Sequence, residues 1–183
     1  MKIIKLHTTD EALVKKALRK DAKAEKMLYD RYAAKMLGVC RLYIKDMHYA
    51  EDVMVQGFTK ALDSLGKFRF EGSFEGWLRR IMVREAIDFL RGRRQIQFSE
   101  AEFTETAPVM VNEPDLDVDL LQLLIDKLPE GYRTVLVMYA IEGYNHKEIA
   151  NTLNITENTS KSQLFKARKR LQEQLAVLQN KRV

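Results

Sequence analysis

One cysteine in 183 residues, Cys40, leaves no partner for an intrachain disulfide. That excludes the stapled secreted domains, and Cys40 in its apolar helical setting reads as a small core residue. Three prolines and eight glycines leave few turns. Runs of alternating apolar and polar residues bounded by Gly or Asn are nearly missing, so sandwiches and barrels are excluded and the expected fold class is all-α. No stretch approaches the roughly 20 apolar residues that cross a bilayer. The opening residues Met1 to His7 also lack the apolar centre of a secretion signal. The expectation is a soluble, cytoplasmic chain without membrane insertion. The three histidines, His7, His48 and His146, lie far apart and none stands at metal-ligand spacing with Cys40. There is no glycine-rich phosphate loop and no nucleophile–base pair. The reading is therefore no enzyme, no catalytic residue, no cofactor and no metal.

What is present is an uneven distribution of charge around a net of +5. Residues 95–119 hold seven acids (Glu100, Glu102, Glu105, Glu113, Asp115, Asp117, Asp119) and no base, together with Pro108 and Pro114. Residues 67–94 carry eight bases against four acids, and residues 161–183 carry seven against one. Two basic bodies flank an acidic, weakly periodic connector. The expected organisation is a helical domain over 1–94, a linker over 95–115 and a smaller helical domain over 116–183.

Apolar periodicity places helices within these bodies. One is expected over 8–20, with Thr8 and Glu11 at capping-box spacing and Leu13, Val14, Ala17 and Leu18 inward. The next spans 23–44 with Met27, Leu28, Tyr32, Met36 and Cys40 on one stripe, then 50–64 and 74–91, with Gly92 as the stop. After the connector come 116–128, broken by Pro129, and 132–142 with Val135, Leu136, Met138 and Tyr139 inward.

The stretch over 143–170 carries the most information. Ile149, Ala150, Leu153, Ile155 and Leu164 supply a small core, and Ala150 allows a close crossing. Asn154 suits a left-handed turn, and Thr156 suits the cap of a second helix that Glu157 begins. That second helix displays Lys161, Lys166, Arg168, Lys169 and Arg170. This is a helix-turn-helix whose second helix fits a major groove while its cations neutralise phosphates. The alternative, a helix pair with a merely solvated basic face, stands beside it. His146 reads as a solvent-exposed residue of the first helix.

Two further constellations stand out. Phe68, Phe70, Phe74 and Trp77 crowd beside Arg69, Arg79, Arg80 and Arg84. Aromatics stack on unpaired bases while cations hold the strand backbone; a hydrophobic core under a solvated arginine face is the competing reading, favoured for Phe74 and Trp77. Asp46, Glu51 and Asp52 precede Gln56 and Phe58, an acidic and amide face suited either to protein docking or to complementing a helix dipole.

Leu28-Tyr29-Asp30-Arg31-Tyr32, Ala50-Glu51-Asp52-Val53 through Gln56 and Phe58, Phe68-Arg69 through Ser73-Phe74 and Trp77-Leu78-Arg79-Arg80-Ile81, Ala86 to Arg91, and Leu128-Pro129 through Arg133 to the helix-turn-helix follow a familiar order. In that order and spacing the chain resembles the extracytoplasmic-function sigma factors, the two-domain sigma subunits of bacterial RNA polymerase. The resemblance implies that Asp46, Glu51, Asp52, Val53, Gln56 and Phe58 dock on the polymerase core. It implies that Phe68, Arg69, Phe70, Ser73, Phe74, Trp77, Arg79, Arg80, Arg84, Asp88 and Arg91 recognise and open the minus-10 promoter element. Thr159, Lys161, Ser162, Gln163, Phe165, Lys166 and Arg168 match positions that meet the minus-35 element. In that family an anti-sigma protein often sequesters the factor, and the acidic linker suits a basic channel of the polymerase. Within it, Ser160 stands where an inward β-branched residue is common. A stand-alone helix-turn-helix regulator is the alternative function; it leaves the pattern from Glu51 to Trp77 unused.

Overall fold

The computed structural model describes residues 9–92 and 118–180. Among the described residues there are eight α-helices, one 3-10 turn, one π turn and no strand. The chain divides into two compact units, Met1–Phe89 and Leu90–Val183. The expected connector at 95–115 and the last three residues lie outside the described residues.

The first unit holds α1 (Asp10–Ala17), α2 (Ala22–Tyr43), α3 (Met47–Asp63), the 3-10 turn Leu65–Lys67 and all but the last three residues of α4 (Phe74–Gly92). An oxygen-bearing side chain caps each of the first three. Thr9 Oγ1 accepts from the Ala12 N–H, Asp21 from Lys23 and Ala24, and Asp46 from Tyr49. Thr9 is thus the cap that the spacing had placed at Thr8, and Asp46 starts α3 three residues before the expected position. Leu13, Leu28, Met36, Leu78, Met82 and Ile87 are buried in the core. Leu18 and Met27, expected inward, are exposed. Leu18 follows the last turn of α1, and Met27 is displaced from the inward stripe by its neighbour Leu28.

Polar contacts tie the helices together. Asp10 accepts from Arg31 and from the Tyr32 hydroxyl, joining α1 to α2. Burial, and then that bond to Asp10, hold the Tyr32 phenol protonated well above its ordinary range. Lys35 reaches Glu75 at 2.8 Å and Lys60 reaches Glu85 at 2.5 Å. Cys40 is buried, and its thiol pKa is pushed up to about 12, mainly by burial and further by the Glu85 carboxylate. This matches the structural role expected for it.

The second unit holds α5 (Val118–Asp126), α6 (Glu130–Leu136), the π turn Val137–Ile141, α7 (His146–Leu153) and α8 (Glu157–Asn180). The helix expected over 132–142 is therefore an α-helix that widens into a π turn. The Glu142 N–H bonds to the Val137 carbonyl five residues back at 3.0 Å. The wider turn rotates Tyr139 off the inward stripe, and it is exposed although Val135, Leu136 and Met138 are buried. Arg133 is completely buried, with Glu130 at 3.7 Å and Asp126 at 4.0 Å. Two carboxylates beside it offset part of the cost of taking its guanidinium out of water.

Candidate nucleic-acid interface

In the first unit the loop after α3 gathers the aromatics. Phe68 is the hub: its ring centroid lies 4.9 Å from Phe70, 5.5 Å from Trp77 and 5.7 Å from Phe74. Phe74 in turn packs on Tyr32 at 5.5 Å and on Trp77 at 5.7 Å. Phe68 and Phe74 are buried, Trp77 is half-buried and Phe70 is 40 % exposed. The two readings of this cluster are thus divided by residue: Phe68 and Phe74 are packed, and Phe70 presents its ring to solvent. Phe70 also has φ 59°, a left-handed conformation that a bulky side chain rarely adopts. The Lys15 ammonium stands 5.8 Å from its ring.

Ser73 Oγ accepts from the Gly76 N–H at 3.1 Å, satisfying one of the free donors at the start of α4. Arg69, Arg80, Arg84, Asp88 and Arg91 are exposed, and Arg79 is half-buried. The exposed arginines of α4 and the exposed Phe70 ring thus belong to one unit.

On α3, Glu51, Asp52 and Gln56 are exposed, with Val55 between them, whereas Val53 and Phe58 belong to the core. Val53 and Phe58 therefore shape this face from beneath. Asp46 is exposed and already engaged as a cap. Gly57 is buried against α4, where a Cβ would meet Met82 Sδ.

In the second unit the turn motif closes as its sequence predicts. Asn145 accepts from the Glu148 N–H at 2.9 Å, and Glu148 accepts from the Asn145 N–H at 2.8 Å, a complete capping box. Asn154 adopts φ 55° and ψ 51°, the left-handed corner. Thr156 Oγ1 accepts from the Thr159 N–H at 3.0 Å and starts α8. Ile149, Ala150, Leu153 and Leu164 are buried, and Ile155 is half-buried.

The face of α8 differs from a simple exposed stripe. Arg168, Lys169 and Arg170 are exposed; Lys161, Phe165 and Lys166 are half-buried; Thr159, Ser162 and Gln163 are buried. The Ser162 hydroxyl donates to the Thr159 carbonyl at 3.0 Å. Arg168, Lys169 and Arg170 are thus the fully accessible cations of this face.

His146 corrects its sequence reading. It is half-buried, its ring stacks on Tyr139 at 4.7 Å, and Nδ1 lies 2.9 Å from the hydroxyl of the fully buried Ser160. The polar residue at the inward position of α8 thus has a partner on α7. Arg168 stands 5.6 Å from the Tyr139 ring on this same side. Burial, followed by the charges of Lys161 and Arg168, lowers the His146 pKa from its ordinary 6.5, and Glu157 opposes them. Among the described residues no cluster of His, Cys, Asp and Glu could hold a metal ion, and no helix is long and apolar enough to cross a membrane.

Family models place these two bodies. Residues 28–96 match the model of sigma-70 region 2, and residues 119–171 match that of sigma-70, region 4. The RNA polymerase sigma-H factor of Pseudomonas aeruginosa is 31% identical, covering 92% of this chain and 95% of that protein. The ECF RNA polymerase sigma-E factor of Haemophilus influenzae is 29% identical over 93% of this chain and 97% of its own. A solved structure of the sigma factor RpoE with the anti-sigma factor NepR, from Bartonella quintana, shares the fold with TM-score 0.53 at 23% identity, covering 83% of this chain and 96% of that one. With a region 2 body, a region 4 body and full-length relatives at this identity, the chain belongs to the extracytoplasmic-function sigma factors of bacterial RNA polymerase.

Proposed function

We propose that this chain is a specificity subunit that joins the RNA polymerase core, directs it to promoter DNA and assists strand opening at the start site. The observation that carries the reading is the pairing, in one family member, of two kinds of equipment. The first unit exposes the Phe70 ring together with Arg69, Arg80 and Arg84, and α8 carries Lys161, Lys166 and Arg168 behind a closed helix-turn-helix.

Each part has a physical task. Glu51, Asp52 and Gln56 on α3, with Asp46 at its start, form the face that docks on the polymerase. Val53 and Phe58 hold that helix in place from the core. Phe70 offers a stacking platform for an unpaired base, and Arg69, Arg79, Arg80, Arg84 and Arg91 grip the strand backbone. Phe68, Phe74 and Trp77 support the loop beneath, Ser73 fixes the start of α4, and Asp88 lies farther along it. The second body anchors the upstream duplex at the minus-35 element. Lys161, Lys166 and Arg168 neutralise phosphates, while Thr159, Ser162, Gln163 and Phe165 read the groove once uncovered. The domains act over the proposed bounds 1–94 and 116–183, joined by the acidic connector. The chain works in the cytoplasm with its polymerase and catalyses no reaction of its own. An anti-sigma protein is the expected regulator, in keeping with the NepR complex of the RpoE relative.

Run-off transcription with purified core polymerase and a randomised promoter library tests this. The expected result is a defined set of start sites that appears only when the chain is added. Tight binding of the chain alone to a palindromic duplex, with no effect on initiation, would instead establish the stand-alone regulator.

A further inference from the structure

The chemistry expected of region 4 does not account for the contact between His146 and Ser160. A polar residue occupies a fully buried position of α8, and an imidazole from the start of α7 meets it at 2.9 Å. The ring face of that imidazole stacks on Tyr139 of the π turn, and Arg168 lies over the same tyrosine at 5.6 Å. The ring is thus held between the two helices of the turn motif and beside two of the α8 cations.

We propose that His146 is a proton-linked member of the duplex-binding face, taking up a proton when α8 engages phosphate. This rests on the reading of α8 as the minus-35 helix. The groups acting on the ring are accounted for element by element. Lys161 and Arg168 on α8 repel a proton there, and Glu157 on the same helix attracts one. The π turn contributes the Tyr139 ring. On α7 itself the neighbours are Lys147 and Glu148, the latter engaged in the cap with Asn145.

In the free chain partial burial, and then the two cations, disfavour the imidazolium. Phosphates brought onto Lys161 and Arg168 cancel that repulsion and add their own attraction, so the bound state favours the imidazolium. Protonation does not break the contact with α8. The Ser160 hydroxyl can donate to an unprotonated Nδ1 and can equally accept from a protonated one. A group whose proton affinity rises on binding strengthens binding as pH falls. One such group supports at most about a tenfold change in affinity per pH unit.

Two measurements test this. The first follows the His146 imidazole by NMR in the free full-length chain. The expected midpoint lies below 6.5 and moves up in Arg168→Gln; a wild-type midpoint at or above 6.5, or no movement, overturns the proposal. The second measures holoenzyme affinity, at fixed salt between pH 6 and 8, for the promoter fragment the holoenzyme itself selects from a randomised library. Wild type should bind more tightly as pH falls, and His146→Gln, which keeps hydrogen bonding but cannot titrate, should lose that part of the slope. Equal slopes overturn the proton linkage alone if Lys166→Ala and Arg168→Gln still weaken binding at every pH. If neither of those variants changes affinity, the reading of α8 itself fails and this proposal falls with it.

Discussion

Gly57 of α3 lies so close to Met82 of α4 that a Cβ on residue 57 would overlap the Met82 sulfur. A Cβ at this position therefore requires the buried Met82 side chain to move, whatever helix propensity the glycine forfeits. Gly57→Val should destabilise the first unit by about 1–3 kcal/mol through overpacking. Trp77, the single tryptophan, reports unfolding of this unit by fluorescence in urea. In a Met82→Ala background the same substitution should cost less, because the obstructing atoms are gone. Equal costs in the two backgrounds would show that the sulfur does not set the approach.

Phe70 packs on Phe68 on one side and leaves 40 % of its surface exposed on the other. Phe70→Ala should leave polymerase binding near wild type while reducing open complexes. Loss of one stacked base costs about 1–3 kcal/mol, and so roughly five- to 150-fold in open-complex stability. Permanganate reactivity of promoter thymines, against core-binding affinity, separates the two steps. Unchanged reactivity would place Phe70 off the melted strand.

These two positions also show how far the residues spoke for themselves. Helix number and order followed from apolar periodicity, and the turn motif from Asn154 and Thr156, because caps and corners are local and written in few residues. The left-handed conformation of Phe70 carries no such mark; glycine or asparagine would have announced it. The inward face of α8 was half legible. Ser160 was recognisable as an oddity, but its partner lies fourteen residues away on another helix. A buried hydroxyl requires a partner, and His146 was the available candidate. The π turn hid Tyr139 in the same way, since periodicity of 3.6 assigns it to the core.

Arg133 is fully buried beside Asp126 and Glu130, which are themselves mostly covered. Arg133→Ala should destabilise the second unit by about 3 kcal/mol, because two carboxylates then lose their cation in a poorly solvated place. Arg133→Met should cost less, as it keeps the volume. Amide hydrogen exchange in α6 and α7 measures both; equal losses would assign the effect to the lost cation alone, with no share for packing.

His146 makes the second unit sensitive to acid. Its folded pKa is depressed below the unfolded 6.5, so between the two values the unfolded chain binds more protons. The stability it supports is complete above 6.5 and is lost as pH falls through that window toward the folded value. Exchange protection in α7 and α8 should therefore drop between pH 7.5 and 5.5 in wild type, and drop less in His146→Gln. Identical losses would mean that other groups govern the acid response.

Lys166 is half-buried on α8, with Arg168 exposed two residues on. If its ammonium meets a phosphate of the upstream duplex, removing it releases one counterion fewer on binding. Lys166→Ala should weaken promoter binding by the holoenzyme, and the slope of log affinity against log salt should become shallower by about 0.9. Because the phosphate term is blind to sequence, the loss should be similar on a strong and a weak promoter. An unchanged salt slope would place Lys166 away from the DNA, and a loss confined to one promoter would make it a base-reading residue.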